Sequence, residues 1–167
     1  DLCTGTGCIA LSIAGEHPDT VVVATDISPA ATALAERNAR ALGLEGWVDV
    51  LECDLADAVA FEFAGTFDVL VSNPPYIPTE AFAGLMREVR DFEPRMALDG
   101  GADGMDCYRA LFGAAPLWLK PGGLLLLEMG DAHQAERMKG HSSKFDFLRS
   151  VLDFSAIPRC MAWRYRG

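Results

Sequence analysis

The sequence predicts a doubly wound α/β fold with a mostly parallel sheet, and three observations carry that prediction. Apolar runs of strand length stand at 20–28 ("TVVVATDIS"), 67–73 ("FDVLVSN") and 124–130 ("LLLLEMG"). Their apolar residues are nearly continuous, as expected for strands covered on both faces by helices. Helix-length segments separate them, which is the alternation of a parallel sheet. A turn with two glycines, "TGTG" at 4–7, opens a helix directly after what reads as the end of a strand. At 167 residues the chain has the length of one domain, spanning 1–167.

Each element has a local reason. The opening strand is reduced to Asp1–Leu2, so the domain reads as N-terminally incomplete, and a helix follows from about Cys8 to Glu16. After the strand at 20–28, Ser28 offers a capping hydroxyl and Pro29 suits a first helical turn. The helix "PAATALAERNARAL" should then stop at Gly43. "WVDVLECDL" at 47–55 alternates like a strand, and 67–73 is the next one. Residues 79–90 suggest a short helix, 92–104 a turn-rich stretch, and 105–119 another helix. "KPGG" at 120–123 reads as a turn before the strand at 124–130. The tail carries two aromatic and β-branched runs around Ser155–Pro158, an expected antiparallel hairpin.

Open α/β sheets bind ligands beyond the carboxyl ends of their strands. That rule selects Thr4–Gly7, Asp26, Asp54 and Asn73–Tyr76, which are expected to line one cleft. Gly5 and Gly7 allow a sharp turn and close approach of a ligand to helix-terminal amides. Asp26 is placed to accept both hydroxyls of a ribose. Asp54 could accept from an adenine amine, with Leu55 against the ring, or simply cap a turn. The stretch 5–10 also satisfies G-x-G-x-x-A, so a dinucleotide site competes at this point.

The tetrapeptide Asn73-Pro74-Pro75-Tyr76 narrows the choice. Proline supplies no ladder amide and holds the residue before it extended. The Asn73 side-chain oxygen and the Pro74 carbonyl are two acceptors on a stiffened backbone. Together they can grip both hydrogens of a planar amino group, while Tyr76 lies across its face. Such a nitrogen is a poor nucleophile, and fixing it against an electrophile lowers the barrier by positioning.

Composition removes other classes. The net charge of −10 leans against a nucleic-acid partner, because phosphate contacts call for a basic surface. Five cysteines (3, 8, 53, 107 and 160) without CxxC spacing indicate neither a disulfide framework nor zinc, and a reducing compartment is expected. Cys8 is expected to pack in the core. The three histidines are scattered, so no metal is expected. The longest apolar stretch is too short to span a bilayer and no signal-peptide pattern opens the sequence, so no membrane partner is expected.

The stretches "DLCTGTGCIAL", "ATDIS", "NPPYI" and "FEPRMALDGGADGMDCYRAL…LKPGGLLLLEMG" resemble the class I S-adenosylmethionine-dependent methyltransferases. The chain is most similar to the protein-glutamine methyltransferases of peptide-chain release factors. The resemblance runs over at least residues 1–130, and "AIPRCMAWR" looks like that family's closing hairpin. It implies a Rossmann-like, seven-stranded-type sheet with the first strand truncated and the family's helical substrate-recognition domain absent. It implies that Cys3, Thr4, Gly5, Thr6, Gly7, Asp26, Asp54, Leu55 and Asn73 contact S-adenosylmethionine. It further implies that Asn73, Pro74, Pro75 and Tyr76 bind the substrate glutamine, with Asn73, Pro74 and Tyr76 catalytic. Glu93 and the "DGGADG" stretch would brace the substrate loop. Cys3 stands where that family more often has glycine.

The activity implied is methyl transfer to a glutamine side-chain nitrogen of a release factor, in the cytoplasm or an organellar matrix. Other readings are a nucleic-acid amino methyltransferase acting on adenine or guanine, a dinucleotide-dependent oxidoreductase, and a non-catalytic cofactor-binding scaffold. The first would need a basic groove. The second has no evident use for the 73–76 tetrapeptide.

Overall fold

The computed structural model describes residues 1–57, 59 and 63–167. They fall into two compact units, Asp1–Phe63 and Ala64–Gly167.

The first unit is built on parallel pairing. Strand β1 (Val22–Asp26) pairs with β2 (Val48–Glu52) in register from Val22 opposite Val48 to Asp26 opposite Glu52. On the other side of β1, the Asp1 amino group donates to Val23 O (2.8 Å), and Asp1 O accepts from the Thr25 amide (2.8 Å). Leu2 forms a single parallel bridge with Thr25. Helices α1 (Cys8–Glu16) and α2 (Pro29–Leu42) connect these strands.

Helix α2 begins and ends as its sequence dictates. The Ser28 hydroxyl accepts from Ala31 N–H, Pro29 fills the first turn, and Gly43 closes the helix at φ 68°. The core joins Ala10, Leu11 and Ala14 of α1 to Val22, Ala24, Ala39 and Val48. Truncating Leu11 to alanine there should cost about 2–5 kcal/mol.

The second unit is a four-stranded sheet in the order β3-β4-β6-β5. Strand β3 (Phe67–Ser72) runs parallel to β4 (Leu119–Glu128). β4 is antiparallel to β6 (Pro158–Tyr165), which forms the expected hairpin with β5 (Phe145–Leu152). Helix α4 (Asp106–Trp118) buries Tyr108, Leu111, Phe112, Ala115 and Trp118. Phe112 meets Phe145 and Trp163 edge-on, with ring centroids 5.2 and 5.0 Å apart. Such edge-on pairs contribute about 0.5–1.5 kcal/mol beyond their burial.

Four expectations are corrected in detail. β2 stops at Glu52, because Leu55 sits at φ 48° and no strand continues through that conformation. The helix expected over 79–90 is a 3₁₀ turn (Thr79–Gly84) and a separate α3 (Arg87–Phe92), parted by the extended residues Leu85 and Met86. "KPGG" is an excursion within β4, which pairs Leu119 with Phe67 and resumes at Leu124 opposite Val69. Within 131–139, for which the sequence pattern predicts no element, α5 (Ala132–Met138) forms. Its N-cap Asp131 accepts from the Gln134 amide at 2.7 Å.

Among the described residues, no helix is long and apolar enough to cross a membrane. No group of three His, Cys, Asp or Glu side chains among them could hold a metal ion.

Candidate active site

In the first unit the glycine turn hangs on two carboxylates. The Thr4 hydroxyl donates to Asp1 Oδ2 (2.5 Å), and the same oxygen accepts the Ala10 amide of α1 (3.1 Å). Asp26 reaches back from the end of β1, its Oδ2 accepting from Gly5 N–H (2.8 Å) and its Oδ1 from Ser28 N–H (2.9 Å). Thr6 is exposed, and its carbonyl accepts from Asn38 Nδ2 (2.9 Å).

The two glycines differ in what surrounds them. A Cβ on Gly5 (φ 58°) would meet nothing within 4 Å. One on Gly7 (φ 83°) would come within 3.1 Å of both Ala35 Cβ and Leu11 Cδ1. Gly7 thus lets α1 approach α2, whereas Gly5 leaves open space above the turn. Cys3 lies at φ 58°, a left-handed conformation that glycine adopts at far less cost, which gives a physical reason for glycine at that place.

Asp54 is exposed and its carbonyl accepts from Asp57 N–H at 3.0 Å, so it opens a turn beyond the strand. Leu55, half-buried, is fixed there by the Thr25 hydroxyl, which donates a hydrogen bond to Leu55 O. The expectation for Cys8 is overturned. It is exposed on the first turn of α1, since Ala10, Leu11 and Ala14 supply the buried face of that helix.

In the second unit the tetrapeptide leaves the end of β3. Ser72 is buried, Asn73 is exposed, Pro74 is fully buried, and Pro75 and Tyr76 are half-buried. Asn73 is therefore an exposed residue set between two buried ones.

Three glycines seat Tyr76. A Cβ on Gly100 would fall 2.7 Å from Tyr76 Cα. On Gly130 it would fall 2.6 Å from the ring carbon Cδ2, and on Gly104 it would strike the Tyr76 carbonyl oxygen. Real Cβ contacts do not come this close, so no larger residue fits at these places without movement.

The stretch after Leu98 binds the same segment by its backbone. Ile77 N–H donates to Leu98 O (2.8 Å), Gly100 N–H to Ile77 O (2.9 Å) and Thr79 N–H to Gly101 O (2.9 Å). Charge fixes that stretch in turn. Asp99 accepts from the Thr79 hydroxyl (2.7 Å) and Arg95 Nε (3.2 Å), and Asp103 pairs with Arg109 (2.5 Å) and Arg137 (2.9 Å). Hydrogen bonds from Thr79 to Asp99 and from Arg109 to Asp103 hold both carboxyls below their ordinary range. Glu93 is exposed at the end of α3.

Sequence reasoning missed the floor beneath Tyr76. Its hydroxyl donates to Glu128 Oε1 at 3.4 Å, and burial first, then the Glu128 charge, raises the phenol's pKa. The buried Gln134 side chain donates to Tyr76 O. The only sequence signal for either residue was the polar "E…DAHQ" run following four leucines.

The fold is that of the class I methyltransferases. A methyltransferase from Pyrococcus furiosus superposes with TM-score 0.68 over 99% of this chain and 73% of that one, at 18% identity. Residues 1–88 match the family described as the methyltransferase small domain, and the chain belongs to that family. It is also similar to two proteins named release factor glutamine methyltransferase. One, from Rhodospirillum rubrum, is 48% identical over all of this chain and 50% of its own length. The other, from Geobacter sulfurreducens, is 46% identical over 88% of this chain and 50% of its own length. The chain thus spans about half the length of the curated relatives it matches.

Proposed function

We propose that the protein methylates the side-chain amide nitrogen of a glutamine in a peptide-chain release factor, using S-adenosylmethionine. The observation that carries this reading is the exposed Asn73 fixed between a buried serine and a buried proline, in a chain 46–48% identical to release factor glutamine methyltransferases. The second unit supplies the amide grip. The Asn73 side-chain oxygen and the Pro74 carbonyl accept the two amide hydrogens, and the Tyr76 ring packs against the group. Positive charge developing on the nitrogen falls between two fixed oxygen dipoles, which is where preorganised acceptors lower a barrier. The proton leaves to water once the nitrogen is cationic.

The first unit fits the cofactor. Open space over Gly5 admits a ligand to the turn. Each Asp26 oxygen accepts one backbone amide and keeps a further lone pair, enough for two ribose hydroxyls. Asp1 Oδ1 is buried and has no hydrogen-bond partner among the described residues, an acceptor suited to a cationic group. Cys3, Thr4, Thr6 and Gly7 complete the turn, and Asp54 with Leu55 serves the adenine. When bound, S-adenosylmethionine supplies an electrophilic methyl group on a sulfonium. Residues 1–167 act as the catalytic part, with a release factor as partner in a reducing, cytoplasmic setting.

The test is transfer of a labelled methyl group to an intact release factor or to an oligonucleotide. Label on the release factor alone is expected. Label on the oligonucleotide alone would replace this reading with the nucleic-acid one.

A further inference from the structure

We propose that Gln134 is a positioning residue for the substrate amide, acting through the backbone of Tyr76; the proposal rests on the glutamine-methylating reading above. Gln134 is 4% exposed, in the first turn of α5. Its amide is fully engaged. Nε2 donates to Tyr76 O (2.8 Å) and to Gly104 O (3.3 Å), while Oε1 accepts from Gly130 N–H (3.1 Å). One planar head therefore ties the tetrapeptide to the 99–104 stretch and to the end of β4.

The chemistry admits few substitutes. Two donations and one acceptance from a single head require a primary amide. Asparagine is one methylene shorter, and a glutamate carboxylate has no donor for either carbonyl. β3 fixes the start of the tetrapeptide and Gln134 fixes its end. The two prolines between them transmit that restraint, because their φ angles are locked. The direction of the Asn73 and Pro74 oxygens is set by both anchors. Freeing the Tyr76 carbonyl lets them drift, and displacement by about 1 Å can cost on the order of 10²-fold in rate.

The test compares Gln134→Met and Gln134→Glu with the parent protein. Measurements are kcat and KM for release factor, Kd for S-adenosylmethionine, and amide exchange at Ile77 and Gly100. In Gln134→Met, kcat should fall roughly 30- to 100-fold while cofactor Kd stays within about threefold. Exchange at Ile77 and Gly100 should quicken. In Gln134→Glu, activity relative to the parent should recover in part as pH is lowered, because a protonated carboxyl regains one donor. A folded Gln134→Met with kcat within about threefold of the parent overturns the proposal. Should that variant not fold, a flat relative pH profile in Gln134→Glu overturns it. Should the parent itself transfer no methyl group to the release factor, the function reading fails separately. Exchange then decides alone: unchanged protection at Ile77 and Gly100 removes the role assigned to Gln134.

Discussion

The Thr4–Gly7 turn and the Asn73–Tyr76 segment both leave the end of a strand, yet they differ in how much room surrounds them. The first is held by hydrogen bonds, Asp26 to Gly5 and Asp1 to Thr4, and has open space over Gly5. The second is held by hydrogen bonds with Gln134 and, through Ile77, with Leu98, and in addition by close packing, with three glycines so near Tyr76 that none has room for a methyl group. The turn can therefore accept a ligand by adding contacts. The segment can serve only if it is already in place.

The sharpest way to break the contrast is Asn73→Ala. It removes one of the two acceptors of the second unit. We expect kcat to fall on the order of 10²–10³-fold with most of the cofactor affinity retained by calorimetry. Equal losses in both would mean that Asn73 serves the cofactor instead.

Two alanine substitutions probe the same contrast from the packing side. Gly130→Ala should destabilise by about 1–3 kcal/mol, read from urea unfolding, because its Cβ meets the Tyr76 ring and Gln134. Gly5→Ala meets nothing, so its cost should be the left-handed backbone alone, about 1 kcal/mol. Its larger effect should be weakened cofactor binding, by about tenfold if the added methyl occupies the approach.

Acid should loosen the segment. Asp99 and Asp103 have folded-state pKa values depressed below the unfolded one of 3.8. Their contribution to stability is present in full above the unfolded range and is lost as pH falls through the folded values. The urea midpoint should drop progressively below about pH 4, and alanine at Asp103 should flatten that dependence.

The smallest expected effect has the opposite sign. Cys3→Gly relieves a left-handed cysteine and should raise the melting temperature by about 1–3 °C.

The same contrast explains what the sequence makes legible. The Ser28-Pro29 cap and the Gly43 stop depend on neighbours within a few residues, and each is where the pattern puts it. Asn73 stands out because two prolines end a strand, another local cue. What holds Tyr76 is not local. Gly100 and Gly104 come from one stretch and Gly130 and Gln134 from another, both far from Tyr76 in sequence, and no periodicity announces that they meet. β2 ends before Asp54 and Leu55 because the Thr25 hydroxyl on the neighbouring strand hooks the Leu55 carbonyl, again a contact across sequence. Helix α5 is short, and its cap at Asp131 directly follows the β4 run that dominates the local pattern.

The most direct measurement is mass spectrometry of the release factor after incubation with the protein and S-adenosylmethionine. The account predicts a gain of one methyl group on the side-chain amide of a single glutamine, absent with Asn73→Ala. An unmodified release factor, or a methyl group on any residue other than glutamine, would contradict it.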